Sequence, residues 1–417
     1  MHGGAYRELN WQKYECKFAS LSCRIEVSNK RKGMGHVKLF HTADWHLGKI
    51  VLGVYMTDGQ RHVLEQFMDA IEQEKPDAVI IAGDLFDRAV PPTEAVALLD
   101  EVLWKIVNEL KTPVIAVAGN HDSPSRLQFG SRLMQTNGFY IVGQLSKELE
   151  PVILEDEHGE VHFHLIPYAD PSVVRYVMRD DSIADHHHAM KKIIEEIERT
   201  KDRHARHVFV GHAFVTTNGE EKENTSDSER PLSIGGAEYV SAQLFEGFHY
   251  TALGHLHQAH YVGNETIRYA GSPMKYSISE ERHQKGFYIV DIDKEGQVAV
   301  EKRTLTPLHD MRSVIGTIDE ILSHSINEDY VFIKLLDDTP ILNPMEKVKS
   351  VYPNAMHIER ALPVVATTEN RKVYSQEKPD EMTLFRMFYI QMKEMEPDDE
   401  TDKLFAEVLH EVMRGEE

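Results

Sequence analysis

The sequence predicts an α/β protein organised on a parallel sheet, and three observations carry the prediction. From residue 37 onward, short β-branched apolar runs alternate with stretches of helical apolar spacing, the pattern that builds βαβ units. The runs stop abruptly and hand over to side chains with oxygen or nitrogen donors, as where Pro113-Val114-Ile115-Ala116-Val117-Ala118 meets Gly119-Asn120-His121-Asp122. Five strand ends repeat that design, and strand C-termini are where open α/β sheets place their chemistry.

In order along the chain, residues 1–36 carry seven Lys/Arg against three Glu and no periodic pattern. A basic nucleic-acid arm is one reading. Met34 stands just ahead of the first strand, however, so residues 1–33 read as sequence upstream of the native enzyme or as a disordered extension. A strand at 37–43 ends in Asp44-Trp45-His46, and 59–74 follow with apolar positions Val63, Phe67 and Ile71 on one helical face. The strand at 78–82 ends in Gly83-Asp84-Leu85-Phe86-Asp87, and Pro91-Pro92-Thr93 opens a helix to about residue 110. After the strand at 113–118 come short strands at 139–143 and 161–167 and a helix over 183–200. His186, His187 and His188 sit on that helix, where consecutive side chains diverge and cannot share a metal. Strands at 207–210 and 250–253 end in Gly211-His212 and Gly254-His255-Leu256-His257, with a polar loop over 216–231 between them. Strands at 267–270 and 287–292 are expected to close a second sheet. Beyond Pro307 a strand at 330–335 and a helix at 344–351 are enough for a small two-layer domain. The last residues form two amphipathic helices parted by Glu396-Pro397-Asp398.

Composition narrows the class. With 417 residues, 41% apolar and 27% charged, the chain is an ordinary soluble protein with room for two or three domains. Its 46 basic and 68 acidic residues leave a net charge of −22, a field that repels phosphate, so a nucleic-acid role has to rest on a local site or a partner. Cys16 and Cys23 both precede the first strand, so neither a disulfide framework nor a thiolate metal site supports the fold, which fits a reducing cytoplasm. No apolar run approaches the roughly 18 residues of a membrane span, and the first 33 residues lack the features of a signal peptide.

The strand ends present Asp44, His46, Asp84, Asn120, His121, His212, His255 and His257. Oxygen and imidazole donors without thiolate suit a six-coordinate first-row metal rather than structural zinc, and imidazoles argue against magnesium. Manganese matches best, with iron, cobalt and zinc as alternatives. Eight donors exceed what one ion takes, and a shared carboxylate can hold two ions ~3.5 to 4 Å apart. Asp84, on a central strand, is the expected bridge. Asp44, His46 and His257 then serve one ion and Asn120, His212 and His255 the other. His121 is left as a positioned acid or charge stabiliser. Among 24 histidines any single one means little; their recurrence at strand tips is what separates this set from chance.

These blocks resemble those of the calcineurin-like metallophosphoesterases, and within that superfamily the chain is similar to the SbcD nucleases from about residue 37 to its C-terminus. His41-Thr42-Ala43-Asp44-Trp45-His46-Leu47-Gly48, Gly83-Asp84-Leu85-Phe86-Asp87 and Gly254-His255-Leu256-His257 carry the likeness, together with Ser226-Asp227-Ser228-Glu229-Arg230-Pro231 and Gly235-Gly236. The resemblance implies a four-layer fold of two sheets flanked by helices, a small α/β capping domain that guides DNA, and a C-terminal helix-loop-helix that docks on the coiled coil of an SbcC-type ABC ATPase. The expected division is an extension at 1–36, a nuclease domain at 37–308, the cap at 309–362, a linker at 363–379 and the docking helices at 380–417. By the same likeness the protein is a bacterial cytoplasmic, nucleoid-associated repair nuclease with two divalent ions, manganese in the family. The implied activity degrades duplex DNA ends 3′ to 5′ and cuts single strands and hairpins internally, in a homodimer that forms a heterotetramer with SbcC. The family pattern assigns the eight residues as the donor count does, with His121 catalytic. ATP enters through the partner, because the chain has no Gly-x-x-x-x-Gly-Lys-Ser/Thr loop. One departure is Asp87, which is histidine in some relatives and is linked there to handling one DNA strand. Residues 377–417 hold 13 acidic and 5 basic side chains, so much of the negative charge lies in a segment meant for protein contact.

Two rival readings remain open to the sequence. A free-standing metallophosphoesterase acting on a small phosphodiester or a phosphoprotein needs only the strand-end blocks, and the cap and terminal helices argue against it. A non-catalytic scaffold for the ATPase is opposed by the complete donor set.

Overall fold

Strands apolar on both faces make the centre of the protein. In the computed structural model β1 (His36–Thr42), β2 (Ala78–Ala82), β3 (Val114–Val117) and β4 (Phe139–Val142) run parallel, with Phe40 opposite Val79, Ile80 opposite Ile115 and Ala116 opposite Ile141. Near-continuous Val, Ile and Ala runs are what such strands need, because other layers cover both of their faces. The residues described are 24–25, 36–217, 226–227, 229, 239–360, 381–393 and 395–415. The linker at 363–379, most of the 226–236 motif and all of the expected extension at 1–36 except residues 24–25 and 36 therefore lie outside them.

Helix α1 (Thr57–Glu74) and helix α2 (Thr93–Trp104) cover the outer face of this sheet. Val63, Phe67 and Ile71 of α1 and Leu98 and Val102 of α2 pack with Phe40, Val79, Ile81 and Val114. The expected helix end near residue 110 is present, but its last turn, Lys105–Glu109, widens to a π-helix.

A second sheet lies against the inner face. Its order is Arg24–Ile25, β5 (Val152–Asp156), β6 (Gly159–Ile166), β7 (Arg206–His212), β8 (Tyr250–Gly254), β10 (Asn264–Tyr269) and β9 (His260–Val262). Leu39, Ile80, Ile115, Phe163, Val208 and Ala252 meet between the sheets. Helix α3 (His186–Thr200) closes the far side by packing Ile193, Ile194 and Ile197 on Phe209, Leu253 and Ile267. The result is the four-layer α/β/β/α arrangement.

One expectation is corrected. The strand at 287–292 is expected in the second sheet, yet β11 (Gly286–Asp293) pairs antiparallel with β1 in the first, Ile289 opposite Phe40. Phe287 and Ile289 enter the outer core while Val290 and Ile292 enter the core between the sheets, so both faces of β11 are buried only beside β1. A strand's alternation encodes burial of its faces and not the identity of its neighbour. β12 (Val298–Thr304) then completes the order β12-β11-β1-β2-β3-β4.

Beyond this, β13 (Met311–Gly316), β14 (Tyr330–Leu335) and β15 (Ala355–Arg360) form a parallel three-stranded sheet. Helices α4 (Ile318–Leu322) and α5 (Pro344–Val348) connect them. Val314, Ile321, Val331, Ile333 and Val348 fill its small core, and Thr317 with Glu320 closes a capping box on α4. Met311 and Tyr330 join Met56, Met274 and Tyr276 in a separate cluster.

Residues up to 362 cluster as one unit and those from 363 as another. The second holds α6 (Glu381–Lys393) and α7 (Asp399–Gly415), joined by a stack of Phe385 on Phe405 with centroids 3.9 Å apart and an Arg386–Asp402 ion pair at 2.6 Å. Asp398 accepts the Thr401 amide at 2.8 Å and so caps α7. Leu384, Met387, Phe388 and Leu404 are exposed on this pair. No helix among the described residues is long and apolar enough to cross a membrane.

Candidate metal centre

The strand tips turn through backbone conformations that side chains rarely adopt. Asp44, His46, Asp84 and His255 have φ of 54°, 45°, 51° and 108°, and such strain in non-glycine residues clusters where the fold must aim a group at a site. Two glycines permit the close approach. A Cβ at Gly83 would sit 2.3 Å from His212 Nδ1, and one at Gly119 would sit 2.1 Å from Asp84 Oδ1.

Three sets of side chains converge, each with donor atoms within 4.8 Å of one another: Asp44, His46 and His257; His46, Asp84 and His121; Asp44, Asp84 and His212. His46 Nε2 stands 3.6 Å and His212 Nε2 3.5 Å from Asp84 Oδ2, so Asp84 lies between two imidazoles. Asn120 Oδ1 lies 2.8 Å from His212 Nε2. His255 is held by its amide, which donates to Asp44 Oδ1 at 2.9 Å; its ring rests edge-on to His212, centroids 5.4 Å apart, outside the three sets. His121 falls within one of these sets, although the sequence marks it as the catalytic group rather than a ligand. Its Nδ1 donates to the Asp87 carbonyl at 2.8 Å.

The chemistry of the donors fits divalent ions. His212 gives its Nδ1 proton to the Ala82 carbonyl at 3.0 Å, so the Nε2 lone pair meets Asn120 Oδ1 with no proton between them. His257 gives Nδ1–H to Glu280 at 3.1 Å, which turns its Nε2 lone pair toward His46 Nε2 at 3.0 Å. Asp44 Oδ2 and His46 Nδ1 are buried without a hydrogen-bond partner. Burial holds the His46 and His255 rings far below the ordinary imidazole range, and lowers His212 and His257 as well. Burial also pushes the Asp44 carboxyl well up, with the neighbouring Asp84 raising it further. Neutral imidazole lone pairs facing acceptors beside crowded buried carboxylates are what a cation relieves.

An outer ring of residues, given no role from sequence, holds these donors. Asp122 accepts the amides of Leu85 at 3.1 Å and of Phe86 and Gly119 at 3.0 Å, tying the Asp84 and Asn120 loops together. Gln60 donates to the His46 carbonyl at 2.7 Å, and Glu229 accepts the His257 amide at 2.6 Å. Despite complete burial, which works the other way, Glu280 is held well below the carboxylate range by Lys285 and His257. Lys285 Nζ lies 2.5 Å from it. In sequence Glu280, Glu281, Arg282 and Lys285 look like any solvated loop, whereas Asp122, two residues past Asn120, and Glu229, inside the Ser226-Asp227-Ser228-Glu229-Arg230-Pro231 block, each offered a signal.

Four layers around a buried Asp/His cluster define a metal-dependent phosphoesterase, and residues 37–259 match the calcineurin-like phosphoesterase family. Residues 307–393 match a second family, described as the type 5 capsule protein repressor C-terminal domain. The chain is 35% identical over 360 residues to a Staphylococcus epidermidis protein named as the D subunit of the nuclease SbcCD, covering 85% of this chain and 93% of that one. It belongs to the SbcD family. Two solved structures share less of the sequence. A protein of Thermus thermophilus is 12% identical with TM-score 0.36, covering 64% of this chain and 99% of that one. A dimetal phosphatase from Danio rerio is 11% identical with TM-score 0.39, covering 64% and 96%. At those scores the likeness supports no further comparison.

Proposed function

We propose that this chain is the nuclease subunit of a DNA double-strand-break repair complex that hydrolyses DNA phosphodiesters with two divalent ions, manganese by preference. The observation that carries the reading is the meeting of Asp44, His46, Asp84, His121, His212 and His257 in one cluster, in a chain of the SbcD family. Asp44, His46 and His257 would hold one ion and Asn120, His212 and His255 the other, with Asp84 shared. Bound there, the ions would neutralise charge on the phosphate and lower the pKa of an attacking water.

The chain's own residues set the geometry. The Ala82 carbonyl and Glu280 fix which nitrogens of His212 and His257 face inward. The Asp87 carbonyl holds the Nδ1–H of His121, and the ring as imidazolium would present Nε2–H to stabilise or protonate the leaving 3′ oxygen. Residues 309–362 act as a cap that guides DNA. The exposed apolar residues of α6 and α7 support docking of 380–417 in a groove of an SbcC-type coiled coil. The reading includes 3′ to 5′ exonuclease action on duplex ends, endonuclease action on single strands and hairpins, a homodimer within a heterotetramer, and work in the cytoplasm on nucleoid DNA.

The test is cleavage of linear duplex DNA against a small chromogenic diester in manganese, with and without an SbcC-type ATPase. Degradation of the duplex, stimulated by the ATPase and ATP, is expected. Hydrolysis of the diester with the duplex left intact would favour a free-standing phosphoesterase instead.

A further inference from the structure

The segment 273–285 runs between the cap and the metal centre and touches both with adjacent carboxylates. On one side, Glu280 accepts His257 Nδ1–H at 3.1 Å and pairs with Lys285, whose Nζ also donates to the His257 carbonyl at 2.8 Å. On the other, Glu281 accepts both the amide and the hydroxyl of Ser313 in β13, at 3.0 and 2.8 Å. Between them Tyr276 packs on Met311 and Tyr330 of the cap while its hydroxyl donates to the Trp45 carbonyl, one residue before His46. An open cavity of about 290 Å³ is lined by Pro273, Met274 and Lys285 of the segment together with Leu305, Pro307 and Asp310.

We propose that Glu280 is a positioning residue for His257 and that Glu280 and Glu281 together couple the placement of the cap strand β13 to divalent-ion binding. The inference rests on the reading of His257 as a metal ligand. Glu280 keeps the His257 proton on Nδ1 and the ring aimed inward, and Glu281 anchors the same turn to Ser313. Displacing β13 therefore pulls on the residue that orients the ligand. Such coupling is reciprocal: if cap placement changes ion affinity, ion binding must steady the cap by the same factor.

The experiment uses metal-free full-length protein titrated with manganese by calorimetry, followed by hydrogen exchange of the 311–316 strand with and without manganese. Glu280→Gln, which keeps an acceptor for Nδ1–H but removes the charge that pairs with Lys285, is expected to weaken manganese binding ~10- to 100-fold, the usual effect of altering such a partner. Glu281→Ala, which touches no donor, is expected to weaken it about fivefold or more. Manganese should slow exchange of 311–316 in the wild type and leave it unchanged in Glu281→Ala. Exchange indifferent to manganese in the wild type, or wild-type affinity in Glu281→Ala, would overturn the coupling even if Glu280→Gln fails to fold. A His257→Ala control separates the two ideas. Undiminished manganese binding there would sink the ligand reading itself, whereas loss there with an unaffected Glu281→Ala sinks only the coupling.

Discussion

At the opposite end of β7 from His212, two buried imidazoles make the fold sensitive to acid. His207 Nε2 donates to the Asp202 carbonyl at 2.6 Å, so its Nδ1 accepts the proton of His164 Nε2 at 3.0 Å. A proton added to His207 Nδ1 would set two N–H groups against each other. Burial pushes His164 down to about 3 and His207 down to about 4. Both rings are thus neutral in the folded protein, while in the unfolded chain they take up protons below about pH 6.5. The unfolded state binds more protons on the acid side, so this stability is fully present above about pH 7 and is lost as pH falls toward 4. For His164, moving from about pH 7.5 to about pH 5 costs ~2 kcal/mol at ~1.4 kcal/mol per unit. His207 contributes in the same direction. His164→Leu, close in volume, removes the titrating ring and frees His207 Nδ1 to accept a proton. Urea unfolding of metal-free protein at the two pH values should show the wild type losing ~2 kcal/mol more than the variant. Equal losses would refute the account.

Other perturbations act at the metal centre and the C-terminus. Gly119→Ala places a methyl 2.1 Å from Asp84 Oδ1 and should cost ~1–3 kcal/mol while abolishing tight manganese binding, read by melting and calorimetry on the same sample. His121→Asn should lower DNA cleavage ~10²- to 10⁴-fold with manganese affinity unchanged; a large fall in affinity would reassign His121 as a ligand. Deleting residues 380–417 should leave manganese-dependent nuclease activity intact but prevent co-purification with an SbcC-type ATPase, and an intact complex would end the docking idea.

The strand tips were legible because their signal is local. A β-branched run that stops at Asp44, Asp84, Asn120, His212 or His255 announces both the buried strand and the group it delivers, and neither depends on what lies elsewhere in the chain. The helix face of α1 was legible for the same reason, as its apolar spacing is set within a few turns. Strands β5 and β12 carry no such signal, since each is short or largely polar and gains its place only by pairing with a neighbour.

By itself the sequence determined the α/β class, the parallel arrangement of the central strands and the oxygen- and nitrogen-bearing side chains at their ends. Tertiary structure alone decided that β11 completes the first sheet, because burial of both its faces depends on cores assembled from distant segments. It also decided that Asp44, His46, Asp84 and His255 adopt left-handed backbone and that Glu280 and Lys285, charged loop residues to a reader of sequence, are buried behind His257. The physical reason is the same in each case. Periodicity records which faces of an element avoid water, whereas the cost of a buried charge or a strained turn is met by partners that the chain brings together only when it folds.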